Sequence, residues 1–127
     1  RFIARAEDRA RRGDFRNRRG EVIRPHFVCQ SIAEPLAAHG RRLADASVDF
    51  AISGGVVGLY MQPETVARLA AELARVVRPG GHIALDAGPA VPARVVARLV
   101  AAAGFRPVGT ARSVWCDPRP KVIAVRG

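Results

Sequence analysis

The sequence predicts an α/β fold, a mostly parallel sheet closed by a C-terminal antiparallel hairpin. Three observations carry that expectation. "SVDFAISGG" holds a compact β-favouring run, Val48, Phe50, Ala51 and Ile52, stopped by Gly54 and Gly55. "PETVARLAAELARVVR" then sets Val66, Leu69, Ala70, Leu73, Val76 and Val77 on one helical stripe, and "HIALDA" follows as a second apolar run. Strands joined through a helix of this length lie parallel in a right-handed crossover, which calls for helices over both faces of the sheet.

In chain order, the first 26 residues are charged and lack apolar periodicity, so they read as a short surface helix followed by a loop, or as a disordered arm. Phe27, Val28, Cys29 and Ile32 predict a brief strand, and "EPLAAHGRRLADAS" a polar connector broken at Pro35 and Gly40. The helix over 63–78 has Pro63 and Glu64 in its first turn and is expected to stop at Pro79-Gly80-Gly81. "PARVVARLVAAAG", 92–104, is a second amphipathic helix with Gly104 where a left-handed cap is needed. "FRPVGTARSVW" and "KVIAVRG" are β-like segments. The connector "CDPRP" between them is too short for a crossover helix, so they should pair antiparallel.

With 127 residues and 49% apolar side chains the chain has room for one core. Its net charge is +10, and residues 1–24 hold nine arginines against four acidic residues, a local net of +5. A basic balance of this kind attracts nucleic acid, anionic lipid or an anionic small molecule. Twenty of the 21 basic residues are arginine and alanine is abundant, a pattern that fits a composition bias. Nucleic acid is therefore not the expected partner. Trp115 and the arginines also lack the alternation of a single-strand binder. Cys29 and Cys116 form no CxxC pair and have no histidine at zinc-site spacing, so two reduced thiols and no metal are expected. The longest apolar run, "AISGGVVGLYM", is about half of the ~20 residues a membrane span requires. A soluble cytoplasmic protein is expected, and the absence of an initial Met suggests a longer gene product.

"DASVDFAIS", "ELARVVRPGGHIALDAG" and "RLVAAAGFRPVGT", in this order and at natural spacing, resemble the class I S-adenosylmethionine-dependent methyltransferases. They are similar to that family's fourth strand, its helix, Pro-Gly-Gly turn and fifth strand, and its last helix and sixth strand. The resemblance implies a Rossmann-like methyltransferase sheet lacking its N-terminal strands. It divides the chain into an arginine-rich segment, 1–26, and the C-terminal part of a methyltransferase-like domain, 27–127. The implied cofactor is S-adenosylmethionine, with Ser53, Gly54 and Gly55 near its methionine moiety and Gln30, Ser31 and Ile32 near its adenine. General rules for open α/β sheets also place a ligand beyond the carboxyl ends of the parallel strands, in glycine-rich loops.

The family's glycine-rich loop after its first strand has no counterpart here, and Asp14 is the one acidic candidate for the ribose hydroxyls. Ser31 and Ile32 stand where an acidic residue commonly meets the adenine. Gly58 and Leu59 stand where many relatives carry a Glu-His pair.

Methyl transfer from a sulfonium is an in-line displacement that depends on alignment and needs no obligatory base. His39, His82 or Tyr60 could assist an acceptor that must lose a proton. Tyr60 is the substrate-side expectation and Asp86, ending the fifth strand, a second residue facing the acceptor; Asp49 is expected to bond neighbouring backbone. The sequence-level reading is thus a methyltransferase part acting on a small molecule, this chain alone binding cofactor weakly or not at all. A homodimer, or the arginine-rich arm, would cover the open edge of strand 48–52. Rival readings are a non-catalytic methyltransferase-like binding module and a basic nucleic-acid-associated protein.

Overall fold

A computed structural model describes residues 2–112 and 119–127. Its elements are α1 (Phe2–Arg11), β1 (Ala37–Ala38), β2 (Arg41–Arg42), β3 (Val48–Ile52), α2 (Val57–Tyr60), α3 (Pro63–Val76), β4 (Val77–Asp86), α4 (Ala93–Ala102), β5 (Phe105–Arg112) and β6 (Pro120–Arg126). The main sheet has the order β3-β4-β6-β5. β3 and β4 pair parallel across α3, as the crossover pattern requires, while β6 pairs antiparallel with both β4 and β5. The sheet is therefore mixed, and the C-terminal hairpin is in place. The expected strand residues Ser113, Val114 and Trp115, and Cys116 to Pro118 of the connector, lie outside the described residues.

One apolar cluster holds the elements together. α3 contributes Val66, Leu69, Ala70, Leu73 and Val76, and α4 contributes Val96 and Val100. They meet Ile83 and Leu85 of β4, Val122 and Ala124 of β6, and Phe105 at the start of β5. Ile83 lies opposite Ala124 and Leu85 opposite Val122, so these four share the face on which the helices rest. Replacing the fully buried Ile83 by valine should cost about 1 kcal/mol, one methyl group from a packed interior, read as a shifted midpoint in chemical denaturation.

Helices over both faces of the sheet were expected. Instead α3 and α4 share one face, and Phe50 and Ile52, which point to the other, are 53% and 64% exposed. Among the described residues β3 is also an edge strand, with its second side unpaired.

Helix α3 ends at Val76, two residues short of the expected 63–78 and one short of the last apolar residue of its stripe, and not at the Pro-Gly-Gly turn. Val77 is already extended and pairs with Val48, its amide still donating to the Leu73 carbonyl. The next pairing is Phe50 with His82, so β4 runs through Arg78–Gly81 while β3 advances two residues. Pro79-Gly80-Gly81 shapes this excursion. Gly80 has φ +77°, and a Cβ on Gly81 would lie 2.7 Å from a Val77 methyl and 2.9 Å from the Asp49 carbonyl oxygen. At α4 the expectation holds: Gly104 has φ +101° and donates to the Ala101 carbonyl.

The predicted strand at 27–32 is absent. Among the described residues no neighbouring strand offers it a ladder, Val28 and Cys29 are exposed, and the Phe27 ring lies 5.9 Å from that of Phe15, while Ile32 leans on the core. The connector after it contains a two-residue hairpin, β1–β2, turned by His39 and Gly40, both at positive φ. In the arginine-rich segment the short surface helix is present as α1, which buries no residue. Among the described residues no helix is long and apolar enough to cross a membrane, and no cluster of three or more His, Cys, Asp or Glu could hold a metal ion.

Candidate functional site

β3 and β4 run in the same direction, so the turns leaving them, 53–61 and 87–92, emerge at one end of the sheet. β6 is antiparallel to β4 and begins at that same end, with Ala87 donating to the Pro120 carbonyl at 2.9 Å. The parallel ladder continues one residue beyond β3, where the Ser53 amide donates to the Ala84 carbonyl at 2.9 Å. The chain then turns away from the sheet.

That turn closes on Asp86. Its side chain is fully buried, and its carboxylate accepts the Ser53 hydroxyl at 2.6 Å and the amides of Val56, Val57 and Gly58 at 3.1, 3.2 and 3.0 Å. The Asp86 amide in turn donates to the Ser53 Oγ at 3.0 Å. Small residues after Ile52 leave consecutive N–H groups pointing inward, and a carboxylate at the end of the neighbouring strand gathers them. Burial by itself would raise the Asp86 pKa. The Ser53 hydroxyl and the amides of Gly58, Val57 and Val56 outweigh it and hold the group below its ordinary value, hence ionised at neutral pH.

The two turns are also joined through Gly58. Its carbonyl accepts the amides of Ala90 and Val91 at 2.9 and 3.4 Å, and its Cα packs directly on the Ala87–Gly88 peptide. On the outer side of the 53–58 turn, Gly55 has φ +73°, and a Cβ there would stand 3.4 Å from the Arg119 guanidinium. The described end of the sheet thus combines a hydrogen-bonded base, a rim of exposed Gly54 and half-buried Gly55, and Arg119 at its side.

Ile32, Ile52 and Ser53 come together in an apolar cleft of about 190 Å³ where β3 meets α3, lined also by Leu36, Leu69 and Leu73. Typical small-molecule sites measure about 300–1,000 Å³, so this cleft offers one wall of such a site. Gln30 lies beside it in a supporting role. Its amide oxygen accepts the Ala37 N–H at 3.0 Å and its amide nitrogen donates to the Pro35 carbonyl at 3.3 Å, which ties the 31–36 turn to the hairpin. Ser31 is exposed, its hydroxyl accepting the Ala33 amide at 3.2 Å.

Other expected site residues are placed differently. Asp14 follows helix α1 instead of a strand, and its carboxylate is 3.4 Å from Arg9 and 3.7 Å from Arg12, so no strand end presents it to a ribose. Asp86 does not face an acceptor, because the turn it anchors occupies both of its oxygens. Asp49 is exposed and pairs with the Arg78 side chain instead of nearby backbone. His39 stacks on His26 with ring centroids 3.6 Å apart, and His82 is exposed four residues before Asp86, about 13 Å back along the strand. Tyr60, 79% exposed at the end of α2, is the one proton-transfer candidate left near the turns. The sequence reading missed Arg119, which it had assigned only to a connector.

The residues present fit S-adenosylmethionine in part. The Ser53–Gly55 turn, which the resemblance sets at the methionine end, carries no side chain at Gly54 and Gly55 that would bar a close backbone approach, and its Ser53 hydroxyl turns inward to Asp86. No glycine-rich loop follows a strand before β3 among the described residues, and Asp14 lies after a helix, paired with Arg9 and Arg12.

Comparison with known proteins agrees with this geometry. A family model described as a methyltransferase domain matches residues 2–85, from α1 to one residue short of Asp86. No curated protein matches the sequence. Among solved structures, a SAM-dependent methyltransferase from Methanosarcina mazei aligns with TM-score 0.57 at 13% identity, over 76% of this chain and 65% of that one. A Burkholderia thailandensis 1,6-didemethyltoxoflavin-N1-methyltransferase, solved with its namesake compound and S-adenosylhomocysteine, aligns with TM-score 0.58 at 20% identity, over 79% and 50%. The chain therefore spans less than two thirds of either relative's length. Since the family model covers most of the sequence and the sheet carries the fold of these enzymes, the chain belongs to the S-adenosylmethionine-dependent methyltransferase family.

Proposed function

We propose that the chain forms the C-terminal part of an S-adenosylmethionine-dependent methyltransferase that acts on a small-molecule acceptor. The observation that carries this reading is the Ser53–Gly55 turn, held at the carboxyl ends of two parallel strands in a family whose chemistry uses that end of the sheet. In this reading the main chain of Ser53, Gly54 and Gly55 meets the methionine end of the cofactor, Ile32 meets the adenine from the apolar cleft, and Tyr60 borders the acceptor. The bound cofactor supplies an activated methyl group. The protein's task is to hold donor and acceptor in line.

The cleft's small volume and the pairing of Asp14 support weak cofactor binding by this chain alone, and they equally favour a non-catalytic binding module. Titrating the labelled chain with S-adenosylhomocysteine and following amide resonances separates the readings. Weak binding, on the order of millimolar, with shifts confined to residues 30–32 and 53–55, is expected for the methyltransferase part. Binding already at micromolar ligand, or shifts that fall elsewhere on the chain, would sink the proposal. The exposed Phe50 and Ile52 beside the unpaired edge of β3 also support self-association through that edge.

A further inference from the structure

We propose that Asp86 is a positioning residue, whose buried carboxylate sets the backbone of the Ser53–Gly58 turn so that the Gly54-Gly55 rim is presented in one fixed conformation. This rests on the methyltransferase reading only in naming what the rim meets. The geometry is local and complete. Asp86 reaches across from β4 and takes four donors from the turn after β3, and Gly58, the last of them, is bound through its carbonyl to the turn after β4. The two turns that leave the parallel strands are therefore one hydrogen-bonded unit with a single ion at its centre. Gly54 and Gly55 take no part in the Asp86 network, so the rim is fixed at both ends while its own main chain stays outside it.

A carboxylate that only stabilised the fold would leave every amide equally dependent on it. A positioning carboxylate leaves a local signature. Asp86→Asn keeps the size of the side chain but replaces one acceptor oxygen with an NH2 group that faces the amides, so the turn should open without the helices.

The test is amide hydrogen exchange on the full chain. Asp86→Asn is expected to speed exchange at Val56, Val57 and Gly58 by about tenfold or more relative to Val96 and Val100 of α4. Ser53→Ala, which removes one donor and leaves the ion, should act at the same amides more weakly and serves if Asp86→Asn does not fold. Exchange that rises uniformly in the folded variants, or not at all at 56–58, overturns the proposal. The same variants titrated with S-adenosylhomocysteine should lose the response at Gly54 and Gly55. A wild-type chain that responds to that ligand only outside residues 30–32 and 53–55 would retire the proposed cofactor placement while the exchange pattern still decides the role of Asp86.

Discussion

Gly58→Ala is expected to destabilise the chain by about 3 kcal/mol or more, the largest effect of any substitution considered, and to lower its melting temperature by about 10 °C. The reason is space, not backbone conformation. A Cβ at this position would lie 2.1 Å from the Ala87 carbonyl carbon and 2.1 Å from the Gly88 nitrogen, both of them main-chain atoms that cannot rotate away. One of the two turns must move. Either movement strains the Gly58 amide bond to Asp86 or the bonds from Ala90 and Val91 to the Gly58 carbonyl. Gly109→Ala is the matched control, since a Cβ there meets nothing within 4 Å, and it should stay within about 0.5 kcal/mol of the parent. Thermal melts of both variants decide the matter. A Gly58→Ala chain that melts with the parent would mean that the two turns are not packed as described.

The second large effect is set by acid. Glu72 on α3 accepts two bonds from Arg75, at 2.6 and 3.0 Å, and the Leu36 amide at 2.8 Å, with Arg42 3.6 Å away. Arg75 also reaches Asp45 and the Leu43 carbonyl, so this one cluster fastens the β1–β2 hairpin and its flanks to the helix. The Arg75 hydrogen bonds, working against partial burial and helped by the Leu36 amide, hold the Glu72 carboxyl down at about 2, from an ordinary 4.5. A depressed carboxyl stabilises the folded chain fully above about pH 4.5, and that contribution disappears as the pH falls toward 2. Allowing for the solvent that reaches the pair, it amounts to about 1–2 kcal/mol. Glu72→Gln should therefore lower stability by about that amount at pH 7 and by progressively less as the pH approaches 2. Asp86, held low by its own donors, keeps some acid sensitivity in the variant. Denaturant titrations at a series of pH values measure the difference, and a constant gap across the range would sink this account.

The sequence made the crossover legible because its signals are periodic and local. The stripe from Val66 to Val76 and the runs around Phe50 and Ile83 each need only their own spacing to be recognised, and Gly104 announces the end of its helix by the conformation it permits. The misreadings arise where the deciding partner is distant. Phe27 to Ile32 has strand-like composition, but a strand exists only through its neighbours, and none of the described residues pairs with it. Val77 left the helix early because Val48 was there to pair with it.

The site followed the same division. The general rule that glycine-rich turns close parallel strands at their carboxyl ends placed Ser53 to Gly55, and the structure has them at that end of β3 and β4. The role of Asp86 was missed because its partners lie about 30 residues earlier and three of the four are backbone amides, which carry no residue-type signal. A faint cue did exist: a stretch of small residues after a strand leaves amides in need of an acceptor, and the next strand end carried an acid. Asp14 failed for the converse reason. The right residue type was present, but a helix and two arginines, not a strand, determine where it points.

The excursion at Arg78–Gly81 has a consequence for how this part of the chain tolerates change. Helix α3 must end where its apolar stripe ends, and His82 must meet Phe50 if Ile83 and Leu85 are to face inward, two demands that a rigid junction could satisfy for only one helix length. The four residues between Val77 and His82 work as a slack coupling between them. A residue gained or lost there alters how far the exposed Pro79-Gly80 tip projects, while strand register and helix packing keep their places. The Pro-Gly-Gly sequence is thus a length buffer built into the crossover, the point at which the chain can absorb a miscount without turning its core inside out.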